Sequence, residues 1–264
     1  LDNMNGGKIS IIKNNKNSNI YFSVARGYKQ GGFNIGLDAA DNLIKESLIY
    51  NPEFLTNYEA GISSNITNSN LNYSATIFFS KRDDQQVLIS RQVNINDPNT
   101  FSYLIQNAAE GENYGLEISS NYLVTDNLYL FANVGILKSK IKNWESRIDL
   151  ENRSQAHAPE QTYSIGAYAD LKNNTSIKID INGKSSFYYS DSHENKSKRY
   201  QLVNLTFEKS WGDLSADIWI RNLFDEYYST RGFFFGNEAP DFINTLYRRQ
   251  GDPRNYGLSI RYDF

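Results

Sequence analysis

The chain has 264 residues, no cysteine, a formal charge of −3, 39% hydrophobic residues and 14% aromatics. These figures exclude a basic nucleic-acid footprint, a disulfide framework and a cysteine metal site. No apolar run approaches the roughly 18 residues of a membrane helix; with a mean hydropathy of −0.59, the apolar residues must be spaced rather than clustered.

The spacing is two. Lys8 to Lys13 reads as a short strand, and a polar turn, Asn14 to Asn19, separates it from a long strand running from Ile20 to about Phe33. In that strand Ile20, Phe22 and Val24 share one face, and Tyr21, Ser23 and Ala25 the other, because side chains of a strand alternate. A connection rich in Asp, Asn and Gly leads to Pro52-Glu53 and a strand from about Leu55 to Ile66. After a tight turn at Thr67 to Asn70, Tyr73, Ala75, Ile77 and Phe79 alternate with Asn72, Ser74, Thr76 and Phe78 as far as about Ser90. A loop holding Asn96-Asp97-Pro98-Asn99 precedes a strand from about Tyr103 to Tyr122, in which Tyr114, Leu116 and Ile118 oppose Gly115, Glu117 and Ser119. Thr125-Asp126-Asn127 is the next short turn, and Leu128, Leu130, Ala132, Val134 and Ile136 form one face of a strand that fades into Lys140 to Trp144.

After a polar loop to Pro159, Tyr163, Ile165, Ala167, Ala169 and Leu171 share a face. Beyond the turn Lys172-Asn173-Asn174, Ile177, Ile179 and Ile181 alternate with Lys178, Asp180 and Asn182. A soluble core would have to pair those charges, whereas a wall with lipid on one side and water on the other accommodates them. Val203, Leu205 and Phe207 continue the pattern, Trp211-Gly212-Asp213 turns it, and Leu214 to Tyr228 reads as the penultimate strand. The last strand is Tyr256, Leu258, Ile260, Tyr262 and Phe264 on one side, with Gly257, Ser259, Arg261 and Asp263 on the other.

This makes about eleven strands whose connections alternate between short polar turns and long loops, the long ones near residues 35–54, 91–101, 145–160, 190–198 and 229–250. Short turns on the periplasmic side and long loops outside are the organisation of bacterial outer-membrane barrels. Single-chain barrels of that kind have even strand numbers, and an open sheet leaves two bare edges, so the strands are expected to be part of a larger barrel. No export signal stands before the first strand, and the expectation is that the start of a longer precursor lies upstream of Leu1. Two other readings of the same alternation stand beside this one: a self-contained smaller barrel acting as a porin or adhesin, and a soluble β-rich binding domain.

Several stretches resemble one family. They are Ala25 to Asn34, Asn51-Pro52-Glu53 with Asn57 to Gly61, Asn113 to Glu117, Arg221 to Tyr228, and Gly251 to Gly257 running into Phe264. In this order, along the whole chain, they resemble the TonB-dependent outer-membrane receptors, whose barrels have about twenty-two strands and whose N-terminal domain plugs the lumen. The resemblance implies an all-β fold, an antiparallel transmembrane β-barrel of which residues 1–264 form the C-terminal part, with the plug and the first half of the wall elsewhere. It implies a transporter rather than an enzyme, seated in the bacterial outer membrane and driven by the TonB complex through the N-terminal part. The leading cargo is a ferric siderophore, with vitamin B12 or an oligosaccharide beside it.

Chemistry of a catalytic or metal kind is not expected, and no cofactor is implied. His157 and His193 each fall in a polar loop without a partner at triad or metal-ligand spacing; Asp191 and Glu194 beside His193 fall short of a ligand set. Cargo contact is expected from the long loops, where Arg231, Phe233, Phe234, Phe235, Tyr247, Arg248 and Arg249 stand together. Guanidinium forks and aromatic faces suit an anionic, partly apolar chelate. Three consecutive Phe cannot all face lipid from one strand. Phe187, Tyr188, Tyr189, Tyr227 and Tyr228 are candidates too, the four tyrosines against their alternative use as an interfacial aromatic belt. Gly115 and Glu117 are expected on the lumen face as parts of the wall. Asn222 to Asp225 breaks alternation and reads as a rim feature. Tyr256, Leu258, Ile260, Tyr262 and Phe264 resemble the terminal signal read by the barrel-assembly machinery.

Overall fold

The computed structural model describes residues 4–34, 48–64, 70–92, 101–190, 194–236, 238–243 and 245–264. Its strands are β1 (Gly7–Asn14), β2 (Ser18–Lys29), β3 (Gly32–Phe33), β4 (Ile49–Tyr50), β5 (Glu53–Ser64), β6 (Leu71–Gln92), β7 (Phe101–Thr125), β8 (Leu128–Lys142), β9 (Gln161–Leu171), β10 (Thr175–Lys184), β11 (Tyr200–Trp211), β12 (Leu214–Arg221), β13 (Ser229–Phe235), β14 (Thr245–Gln250) and β15 (Asn255–Tyr262). Eleven of them form one sheet in the order β1-β2-β5-β6-β7-β8-β9-β10-β11-β12-β15. Every pairing in it is antiparallel and joins consecutive strands of the wall, so the sheet is a meander of the expected strand number. β3/β4 and β13/β14 are separate two-stranded hairpins inserted in connections at the long-loop end. β1 and β15 are paired on one side only.

The turns at the opposite end are short for local reasons. Asn173 and Asn174 adopt φ of 60° and 53°, and Gly212 a φ of 64°, the left-handed conformations that two- and three-residue hairpin links require. The turn expected at Thr67 to Asn70 and the loop around Asn96 to Asn99 fall, apart from Asn70, outside the described residues.

Across the sheet the register lines up like with like. Phe22 faces Ala60, Ala60 faces Ile77, Ile77 faces Leu116 and Leu116 faces Ile136; Ile165 faces Ile181, Ile181 faces Val203, and Ile218 lies between Phe207 and Leu258. This outward face is apolar and uncovered: Ile9, Leu258 and Ile260 are 76%, 61% and 67% exposed. The concave inner face is the reverse, with Ser23, Ser176 and Asp180 all buried. Apolar groups outside and polar groups sheltered inside is the polarity of a membrane barrel, not of a domain with a dry core. Asp180 is satisfied there by the side-chain amides of Asn182 and Asn204, at 2.6 and 2.7 Å.

Aromatics bound the apolar band. Tyr58, Phe79 and Tyr114 form one cross-strand row, and Tyr122 lies eight residues beyond Tyr114 on β7. That is about 27 Å of strand at roughly 3.4 Å a residue, or about 19–22 Å across the membrane at the usual strand tilt, the scale of an apolar band of about 25 Å. Above the row the outward face turns charged, with Glu112 opposite Lys140 and Glu110 opposite Lys142. At the turn end Lys209 donates to the Asn173 carbonyl and lies 6.0 Å from the Trp211 ring, a snorkelling cation among interfacial aromatics.

On the inner face glycines take aromatic rings from the facing strand. Tyr21 lies over Gly61, Phe78 over Gly115, Phe131 over Gly166 and Trp219 over Gly257, each pair directly opposite in register. Phe131 faces Gly166 across β8 and β9, and a Cβ there would collide with its ring. Gly115 and Glu117 thus belong to the inner wall, as their alternation implies.

Three expectations are corrected by tertiary structure. The strand expected from Ile20 to Phe33 ends at Lys29 and resumes only as the two-residue β3. The strand expected from Leu214 to Tyr228 stops at Arg221, because Asn222 and Asp225 adopt left-handed φ of 50° and 56°. The connection expected as a loop over 229–250 is the hairpin β13/β14.

Candidate functional site

The site is built outward from the end of β12. Asn222 is 4% exposed, and its side chain ties both roots of the β13/β14 hairpin. Its Oδ1 accepts from the Glu226 N–H at 2.8 Å, while Nδ2 donates to the carbonyls of Glu226 and Asp252 at 2.9 and 3.1 Å. The Asn222 N–H donates to Asn204 Oδ1 at 3.1 Å, which continues the chain of amides that begins at Asp180. Asp225 completes the clasp by accepting from the Arg254 N–H at 2.7 Å. Asn and Asp are the residues other than Gly that best tolerate a left-handed backbone, so the sequence type fits the turn as well as the bonds.

From this root the hairpin carries the residues singled out for cargo. Arg231 pairs with Arg249, Gly232 with Arg248, Phe233 with Tyr247, Phe234 with Leu246 and Phe235 with Thr245. The structure therefore brings Arg231, Phe233, Phe234, Phe235, Arg248 and Arg249 onto one hairpin, but alternation divides them between its faces. Arg231, Arg248 and Arg249 are exposed, and Phe233 is 44% exposed. Tyr247, a candidate of the same loop, joins them on β14; its hydroxyl donates to Glu238 Oε1 at 2.7 Å, and that carboxylate holds the phenol above its ordinary pKa.

Two aromatic contacts seat the hairpin. The Tyr228 ring covers Gly251 and lies 4.5 Å from the Tyr200 ring of β11. Tyr189, in the connection after β10, covers Gly232. Tyr189 and Phe187 are 4% and 6% exposed and meet edge to face at 5.9 Å. Both are buried rather than part of an open contact surface, a correction to the cargo contact expected of them and, for Tyr189, to the belt weighed beside it. Tyr188 lies under two cations, Arg153 at 3.9 Å and Lys196 at 4.2 Å, and Arg153 also donates to the Ser190 carbonyl at 2.8 Å. The connection after β8 is packed as well: a 3-10 turn at Glu145–Leu150 brings Leu150 onto Ile141 and Trp144. His157 lies 5.5 Å from Phe187, and His193 falls outside the described residues. Among the described residues no group of three or more His, Cys, Asp or Glu could hold a metal ion.

Below the hairpin the inner face forms an open trough of about 660 Å³, lined among others by Thr76, Glu117, Ser119, Asn133, Asn182, Lys184, Tyr200 and Tyr228. Hydroxyls, amides and one charge of each sign stand there beside apolar surface from Val134, Leu202 and the tyrosine rings, so the trough offers hydrogen bonds and apolar contact together. At the rim beside it, Glu53 takes Arg82 Nε at 3.1 Å and the Gln86 N–H at 2.9 Å, so the Asn51-Pro52-Glu53 stretch also serves the wall.

Residues 7–223 match the model of the family described as TonB dependent receptor-like, beta-barrel. The pesticin receptor of Yersinia pestis is 23% identical over 256 residues, covering 93% of this chain and 34% of that protein. Among solved structures, the ferric yersiniabactin uptake receptor FyuA of Yersinia pestis superposes with a TM-score of 0.78 at 18% identity, over 98% of this chain and 37% of FyuA. The siderophore receptor PiuA of Acinetobacter baumannii gives 0.73 at 18% identity, over 97% of this chain and 35% of PiuA. The chain thus spans about a third of the length of these relatives. A match over most of the chain, on a wall of meandering strands with lipid outside and a polar lumen inside, shows that it belongs to the TonB-dependent receptor-like β-barrel family of the bacterial outer membrane.

Proposed function

We propose that residues 1–264 are the C-terminal part of the wall of a TonB-dependent receptor that imports a scarce nutrient, with a ferric siderophore as cargo. The observation that carries this reading is the β13/β14 hairpin, seated over an open trough of mixed lining and presenting Arg231, Phe233, Arg248 and Arg249 at the rim. Clustered guanidiniums with adjacent rings favour an anionic, partly apolar chelate over a neutral sugar. The related structures named for ferric yersiniabactin uptake and for a siderophore support the same cargo class. The unpaired edges of β1 and β15 favour a wall completed by further strands over a self-contained porin or adhesin, because a barrel has no edges. Energy coupling would then pass through a plug and a TonB-binding segment outside these residues.

The test is uptake of radiolabelled ferric siderophores by iron-starved cells whose own receptors are deleted and which carry the full-length protein. Saturable uptake that stops when TonB is removed is the expected result. Uptake that is passive and indifferent to TonB would turn the assignment toward a porin.

Tyr256, Leu258, Ile260 and Tyr262 lie on the outward face of β15, and the Phe264 ring meets Tyr262 edge to face at 5.1 Å. This end of the edge strand is the proposed contact for the barrel-assembly machinery. Deleting Phe264 should lower the amount of receptor in the outer membrane severalfold while leaving refolding into detergent micelles unchanged. Equal membrane levels would remove the signal role; a refolding defect would make Phe264 structural.

A further inference from the structure

We infer that the rim hairpin meets cargo with one face only, that of Arg231, Phe233, Tyr247 and Arg249, and that Tyr189 is the positioning residue that turns this face outward. The inference rests on the proposed receptor function and assigns roles within that site. Arg231 stands directly opposite Arg249 and Phe233 opposite Tyr247, so alternation puts these four side chains on the same face and Gly232, Phe234, Leu246 and Arg248 on the other. The second face is docked at Gly232, which is buried and where a Cβ would strike the Tyr189 ring, while Arg248 across from it stays exposed. Tyr189 does not yield, because Phe187 abuts it and its N–H donates to the Asn195 carbonyl at 3.2 Å.

The outward face carries an arrangement that costs the hairpin something. Like charges directly opposite in an antiparallel pair repel, and among the described residues no carboxylate forms an ion pair with Arg231 or Arg249. An anion lying between the two guanidiniums removes that repulsion and gains charge-assisted bonds from both forks. Phe233 and Tyr247 stand beside them on the same face, with the Tyr247 hydroxyl held by Glu238. Anionic complexes bearing planar rings therefore fit this face, and cationic complexes of the same size are repelled. Arg248, across from Gly232, is outside the contact.

The test uses the full-length receptor in outer-membrane preparations with two probes, an anionic ferric tris-catecholate and a cationic ferric trihydroxamate. Retarded mobility of unheated samples on gels checks that each variant is a folded barrel. The tris-catecholate should bind, and Arg231→Gln and Arg249→Gln should each weaken it by about tenfold to a hundredfold. Arg248→Gln should change it by less than about twofold, the size of a surface change. Gly232→Ala should weaken binding through collision with Tyr189, and on a Tyr189→Ala background, where the ring is gone, it should weaken binding no further. If Gly232→Ala fails to reach the membrane, Tyr189→Leu, which shrinks the ring without crowding the strand, should weaken binding in its place. Equal losses for Arg248→Gln and Arg231→Gln would overturn the one-face assignment. A Gly232→Ala effect that is just as large on the Tyr189→Ala background, or a Tyr189→Leu variant that binds normally, would overturn the positioning role. If the trihydroxamate alone is taken up in a TonB-dependent manner, the receptor reading stands and this inference falls; if neither complex binds, both fall.

Discussion

Replacing Asn222 by Ala should release the rim hairpin from the wall while leaving the sheet intact. The side chain makes three hydrogen bonds to the backbone at Glu226 and Asp252, and nothing in an alanine replaces them. Buried groups left unpaired cost about 1–3 kcal/mol, and the left-handed φ of 50° adds roughly 1–2 kcal/mol for a residue with a β-carbon and no polar tip. A loss of about 2–5 kcal/mol exceeds what most single substitutions do, and it falls on the root of the hairpin. Limited proteolysis of the membrane-embedded protein should then cleave between 229 and 250 in the variant and spare the parent, with unheated gel mobility unchanged. Asn222→Gly separates the two terms, since it relieves the backbone but restores no bond; it should lie between Ala and the parent. A hairpin equally resistant to protease in all three would show that Asn222 is not its anchor.

The second large effect is expected at Ile179, on the outward face between Ala167 and Leu205. An arginine there enters lipid near mid-wall, at about 2–4 kcal/mol. The neighbouring position supplies its own control. Lys178 is already a cation, points inward, and lies 5.7 Å from the Phe131 ring, so Lys178→Arg should be close to neutral. Urea unfolding from lipid vesicles, or the fraction inserted, should separate the two variants by the full lipid penalty. If both behave alike, the assignment of faces on β10 fails, and with it the apolar belt read through Ile165, Ile181 and Val203.

Whether a feature of this protein is legible in its residues depends on how far along the chain the deciding interaction reaches. A strand has two faces and a side-chain period of two, so Ile177, Ile179 and Ile181 against Lys178 and Asp180 declare a wall between lipid and water, and short turns such as Lys172-Asn173-Asn174 declare which end is which. The strand number, the inner place of Gly115 and Glu117, and the set of arginines and phenylalanines at the rim are local readings of that kind. The division of that set between two faces is not, because residues 229–250 look like a loop and a hairpin register exists only once β13 and β14 have paired. Nor is the end of β12 at Arg221, which depends on Asn222 reaching Asp252 thirty residues on. Phe187 and Tyr189 look like exposed loop aromatics, since nothing near them in the chain shows that Gly232 will come to lie under a ring. Alternation along one strand is therefore written in neighbouring residues, whereas contacts between connections, whose geometry is set by residues far apart in the chain, are decided only by the tertiary fold.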